Sequence, residues 1–307
     1  PLNGYTIKVA VATSTPGIFT ATTVSGAWSV NKIYGLAAGM PIAVWWDAGG
    51  AGENAFALTK ATSTSNITGL DLYQNRIILK HEATSATSTT IANLSFYDAN
   101  NDADIQFVAN SNQLDVFAGQ ELHVWTNKSF LPGGAVILHG NAGSSPDGDF
   151  HLGNYASTTL SSGITLAGSW YASTSATFML GAQTVTFNAT SSGKAIIGTL
   201  TTATSSFYAM TFNGSGGGWT FYNNASTTDF TISAGTVAAS STAATLLTIA
   251  GNYSNSGSFT DNSGTVYFSG STKTIAGTMN SATTDFFNLV FNGGQYTFSA
   301  NPSTTGF

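Results

Sequence analysis

Leu247-Thr248-Ile249-Ala250-Gly251 answers Ile164-Thr165-Leu166-Ala167-Gly168, and the match runs on. Thr265-Val266-Tyr267-Phe268 answers Thr184-Val185-Thr186-Phe187, and Lys273-Thr274-Ile275-Ala276-Gly277 answers Lys194-Ala195-Ile196-Ile197-Gly198. Phe286-Phe287-Asn288-Leu289-Val290-Phe291-Asn292-Gly293 then answers Phe207-Tyr208-Ala209-Met210-Thr211-Phe212-Asn213-Gly214, and Tyr296-Thr297-Phe298 closes the copy as Trp219-Thr220-Phe221 closed the first. The offset narrows from 83 residues at Leu247 to 77 at Phe298, so short insertions separate blocks that keep their order. Self-similarity of this period marks a repeat architecture.

The borders follow from flanking matches. Asp149-Phe150-His151-Leu152 pairs with Asp229-Phe230-Thr231-Ile232, which starts a unit at Asp149. Asn223-Asn224-Ala225-Ser226-Thr227-Thr228 pairs with Ala300-Asn301-Pro302-Ser303-Thr304-Thr305, so Gly306-Phe307 falls where Asp229-Phe230 stood. The expected units are 149–228 and 229–307, the second cut at the start of a third copy. A unit of about 80 residues divides into about four rungs of a parallel β-helix, or it could form one β-sandwich. Phe, Leu, Val and Ile recur at rung-like intervals with Thr, Ser and Asn between them. Charge is scarce, as expected where like side chains stack on successive rungs and would repel. Both features favour the β-helix, or solenoid.

Upstream, Tyr5-Thr6-Ile7-Lys8-Val9-Ala10-Val11 alternates with period two. Segments around Ile18, Ala27, Met40 and Asn54 do the same, with Gly, Pro and Ser between them. That rhythm predicts a small Ig-like β-sandwich over about 1–60. Shorter runs follow at Leu70-Asp71-Leu72-Tyr73, Arg76-Ile77-Ile78-Leu79, Ile91-Ala92-Asn93-Leu94, Leu122-His123-Val124-Trp125 and Ala135-Val136-Ile137-Leu138. They predict a strand-rich solenoid entry over 61–148. The fold class is therefore all-β, a sandwich leading into a parallel β-solenoid, with tandem sandwiches as the alternative. No stretch shows helical periodicity over a helical length.

Composition excludes several functions. Charged residues make up 7% of the 307 residues, and the net charge is −6. Beyond Phe150 only Asp229, Asp261, Asp285, Lys194 and Lys273 are charged. With a single arginine, Arg76, the chain lacks the clustered cations that phosphate binding requires. No apolar run approaches the roughly 20 residues of a membrane-spanning helix. Zero cysteines exclude disulfides and thiolate chemistry. Pro1-Leu2-Asn3-Gly4 carries no signal peptide and reads as the start of a mature or excised segment.

Three passages resemble a known group of proteins. These are Asn66 to Ile78 (Asn-Ile-Thr-Gly-Leu-Asp-Leu-Tyr-Gln-Asn-Arg-Ile-Ile), Tyr97 to Ile105, and Val124 to Gly134. They are similar to stretches of very long, repeat-rich surface proteins of candidate-phyla-radiation (patescibacterial) ultrasmall bacteria. The resemblance implies an exported, non-enzymatic surface or filament protein with β-helical stretches. It supplies no catalytic residues to carry over.

Candidate sites are few. Asp98-x-Asn100-x-Asp102-x-Asp104 places oxygen ligands at alternating positions, which suits Ca²⁺. Ala103 and Ala109 stand where an EF-hand would carry Gly and Glu, so a solvated acidic turn is the plain alternative. No cofactor is otherwise required. Asp147-Gly148-Asp149 and Asp47 with Glu53 are weaker acidic pairs. His81, His123, His139 and His151 stand singly, with no zinc-site spacing between them. Asp115 and Glu121 flank a turn and are the carboxylate pair to test for glycoside chemistry. Trp45-Trp46, Trp170-Tyr171 and Phe286-Phe287 put neighbouring rings on opposite strand faces. Trp45 and Trp170 are thus candidates for a glycan platform or a subunit contact. The function expected is structural and extracellular: one segment of a cell-surface fibre, filament or coat, associating with further copies. A carbohydrate-binding adhesin and a polysaccharide-degrading β-helix enzyme are the alternatives.

Overall fold

In the computed structural model the described residues are 3–12, 17–31, 33–47, 54–61, 66–81, 88–141, 146–240, 245–260, 262–279, 286–300 and 304–306. Almost every regular element is a strand. Four of these, β1 (Thr6–Val11), β2 (Gly17–Thr22), β3 (Pro41–Asp47) and β4 (Phe56–Lys60), form an antiparallel sheet in the order β2-β1-β3-β4. One face of it buries Ile7, Val9, Val11, Ile42 and Val44 under Trp28, Ile33, Leu36, Ile67, Leu70 and Leu72. What covers this face is irregular chain: Trp28–Val30 and Leu70–Tyr73 lack the strand structure that their alternation suggests. The other face, with Ala43, Trp45, Phe56 and Leu58, belongs to the main core. β4 then pairs in parallel with β5 (Arg76–Leu79), and the direction of the fold changes there.

From that point the chain coils, laying one short strand on each of three faces per turn. The first face stacks Gln113–Val116, Ala135–Leu138, Ile164–Leu166, Thr184–Phe187, residues 209–212, residues 229–232, Tyr253–Asn255, Lys273–Gly277 and Tyr296–Phe298, all parallel. The second face stacks β5, Glu121–Val124, Asp149–Leu152, Trp170–Ala172, Lys194–Ile197, residues 219–221, residues 237–239 and Ser258–Thr260. The third stacks Ser129–Phe130, Ser157–Thr159 and Thr177–Met179, then residues 225–227, Leu246–Ile249, Thr265–Phe268, Phe286–Phe291 and Thr304–Gly306. Two bridges, Phe178 with Ser205 and Leu200 with Ala225, join its halves. The result is a parallel β-solenoid of about ten turns.

Alternation does the sorting. In Thr184–Phe187 the side chains of Val185 and Phe187 are buried while Thr184 and Thr186 look outward. The same pattern recurs along each face, so the interior is a continuous apolar column. Ile91–Leu94, which reads as a strand, is a single helical turn. Thr90 decides this: its hydroxyl accepts from Asn93 N at 3.2 Å, and Asn93 Oδ1 accepts from Thr90 N at 3.1 Å, a reciprocal cap that outweighs the β pattern.

The sequence repeat is not a whole number of turns. Ile164 stacks through Val185 and Met210 to Phe230, which is three turns along the first face. Its counterpart Leu247 lies two faces further, on the third face against Ala225. One unit is thus three turns and two thirds, where about four whole rungs were expected. The matches at Thr265, Lys273, Phe286 and Tyr296 obey the same step. Trp170 on the second face corresponds to Tyr253 on the first, and Phe178 on the third to Phe259 on the second. Packing is nonetheless copied. Phe187 and Phe212 stack at 4.8 Å and 10°, and their counterparts Phe268 and Phe291 at 5.5 Å and 15°. Trp170 meets Phe207 at 5.3 Å, and Tyr253 meets Phe286 at 5.4 Å.

The aspartate that opens each unit has a fixed task. Asp149 Oδ1 accepts from Ser169 N at 2.6 Å, and Asp229 Oδ1 accepts from Asn252 N at 2.8 Å. Gly168 and Gly251 precede those donors, and a Cβ on either would overlap the aspartate oxygen. The corner is a matched Asp and Gly one turn apart.

Candidate functional site

Charged side chains are scarce in this fold, and two groups of them stand close together. The larger group lies on the outer side of the second face. Strand alternation turns Leu122, Val124, Phe150 and Leu152 inward, so Glu121, His123, Asp149 and His151 project away from the core. The parallel register then stacks Arg76 on Glu121 on Asp149, and Ile78 on His123 on His151 on Tyr171. His123 Nδ1 lies 2.7 Å from Glu121 Oε1, and His151 Nδ1 lies 3.5 Å from the same oxygen. Arg76 Nε reaches it at 3.3 Å. The two imidazoles overlap at 4.3 Å between centroids, with Tyr171 above His151 and Trp125 beside His123.

Glu121 and His123 are largely buried, whereas His151 keeps 32% of its side chain exposed and forms the solvent edge. Burial alone would raise the Glu121 carboxyl. The two histidines and Arg76 more than reverse this and bring it to about 2. Burial pulls His123 below the usual imidazole value, against the pull of Glu121, so it is neutral at neutral pH. The group is therefore a fixed carboxylate facing a neutral imidazole, with a second imidazole one rung away. Further along the same face, Asp147 Oδ2 and Lys194 Nζ form a buried ion pair at 2.5 Å.

The smaller group joins the antiparallel sheet to the Asp98–Ile105 turn. Lys8 Nζ bridges Asp47 and Asp102 at 3.1 Å each. Asp104 stands beside them, and burial together with a hydrogen bond that its protonated carboxyl donates to Asp47 raises its pKa. The Lys8 ammonium already lies between Asp47 and Asp102.

The structure redistributes most of the candidates. Asp98, Asn100, Asp102 and Asp104 do not converge on one point. Asp98 is buried and caps its own turn, accepting from Asn100 N at 2.9 Å and Ala109 N at 2.9 Å, while Asn100 Nδ2 donates to it. Asp47 meets Asp102 and Asp104, and Glu53 lies outside the described residues. Asp147 and Asp149 are committed separately, to Lys194 and to Ser169 N. Asp115 and Glu121 sit on different faces. Asp115 takes Gln113 Nε2 at 2.6 Å and His139 Nε2 at 3.3 Å, whereas Glu121 holds Arg76 and the two histidines. His81 is buried. Trp45 and Trp170 are fully buried in the main core and offer no platform; Trp46 packs half-buried against the other core of the antiparallel sheet, and Tyr171 lies half-buried on the outer side of the second face.

No protein-family model, curated protein or solved structure matches the chain. Geometry alone therefore carries the functional reading. The cluster that spacing rules missed had a visible signal. Glu121-Leu122-His123-Val124 and Asp149-Phe150-His151-Leu152 share one acid-apolar-His-apolar pattern, and strands of like pattern are the ones a solenoid stacks.

Proposed function

We propose that the chain is a structural segment of a cell-surface fibre, filament or coat, and that it works outside the cell without catalysing a reaction. The observation that carries this reading is the continuous apolar column. From Phe150 to Tyr296 aromatic rings meet at each step of the coil, and most of the outward positions around them are Thr, Ser and Asn. Such a body transmits force and holds distance, since each rung's backbone groups bond to the rung above and below. Parallel strand ladders also offer a route for association between copies.

Immunogold labelling of the cells that make the chain, combined with negative-stain microscopy of their surface, tests this. Label along exterior filaments or a lattice is expected. Label confined to the cytoplasm, or polysaccharide cleavage by the purified chain, would overturn it.

One surface favours the adhesin alternative. Tyr222, half exposed, borders a groove of about 330 Å³ with Thr199, Thr201, Asn223 and Asn224. A ring beside hydroxyls and amides suits a sugar face. Glycan-array binding that disappears in Tyr222→Ala would move the reading there.

A further inference from the structure

We propose that Glu121, His123 and His151 bind a divalent transition metal of the zinc class, clamping two successive rungs of the second face. The three candidate ligand atoms lie within 4.8 Å of one another. Tetrahedral zinc, with bonds of about 2.0–2.2 Å, holds its ligands about 3.4 Å apart. The separations of 2.7 Å and 3.5 Å from Glu121 Oε1 bracket that value, so small side-chain rotations admit the ion. Two imidazole nitrogens and one carboxylate oxygen form a donor set that selects zinc, nickel or copper over calcium, which needs six to eight oxygens.

Ligation requires a free lone pair at Nδ1 of each ring, with the ring proton at Nε2, and the carboxylate form of Glu121. Arg76 holds the carboxylate from one side, and a carboxylate has about four lone-pair sites to share. Asp149, the register neighbour of Glu121, adds negative charge beside the pocket. With three protein ligands and His151 at the solvent edge, a fourth position remains for water. The second copy lacks the device, because Thr231 stands where His151 stands in the first.

The test uses the full chain, stripped with a chelator and titrated with zinc chloride by calorimetry, with Co²⁺ visible absorption as an independent readout of nitrogen ligation. One saturable equivalent is expected, together with a rise in melting temperature. His151→Thr, which installs the residue that this strand's own counterpart carries, should weaken binding by more than about tenfold. Glu121→Gln should do the same, and His139→Ala and Asp104→Asn should bind as the parent does. Circular dichroism of the metal-free variants reports folding, and His151→Thr provides the folded comparison if Glu121→Gln does not. Absence of saturable binding in the parent overturns the proposal. So does a parent-like isotherm in His151→Thr, or a loss confined to His139→Ala or Asp104→Asn.

Discussion

Trp170 shows what one residue does here. Its ring is fully buried and touches Phe150 at 5.0 Å, Phe178 at 5.1 Å and Phe207 at 5.3 Å. Trp170→Ala should cost about 3–5 kcal/mol in denaturant unfolding, with no separate effect on any surface interaction. The Asp and Gly corner makes a paired prediction. Gly168→Ala and Gly251→Ala each force a Cβ onto an aspartate oxygen, and each should destabilise by about 1–3 kcal/mol to a similar degree. Glu121 gives the pH dependence. Its carboxyl is depressed to about 2 from 4.5, so its stabilisation is present above pH 4.5 and lost as pH falls through 2. His123, depressed from 6.5, also loses stability as pH falls, beginning near 6.5. Asp149, raised by burial, works in the opposite sense. Melting temperatures measured between pH 7 and pH 2 should fall on acidification, and Glu121→Gln should flatten the limb below pH 4.5.

At the scale of the strand, the outward row of the first face explains the low charge. Thr165, Thr186, Thr211, Thr231 and Ser254 stack in register, each about 4.8 Å from the next. Small hydroxyls tolerate that spacing, whereas like charges repel across it. Thr186→Asp or Thr211→Asp alone should be mild. The double variant should lose about 0.5–1 kcal/mol beyond the sum, with recovery in high salt. Strand positions in the two copies were legible because inward Val185, Phe187, Met210 and Phe212 keep a period of two. Ile91–Leu94 was not legible as a helical turn, since its apolar ends suit either state and a cap at Thr90 decides between them. The Glu121, His123 and His151 cluster was illegible to spacing rules for a related reason. Its members are neighbours across rungs, and rung length varies with the corner loops between strands.

For the whole molecule, the expected solenoid and its repeat were visible in the sequence, but the fractional turn was not. Alignment counts residues, whereas the coil counts faces. About ten turns at about 4.8 Å each give a rod of about 50 Å, which small-angle scattering should register as an elongated particle. The extra two thirds of a turn has a further effect. Tyr208 and its counterpart Phe287 are both exposed, yet they belong to units offset by a third of a turn about the axis. A bivalent partner approaching from one direction cannot grasp both. Duplication of this unit multiplies its interior, because the column looks alike from all three sides, but it scatters its exterior around the compass. Outward features such as His151 are then free to change to Thr231, while Phe187 and Phe268 remain the same residue in the same setting.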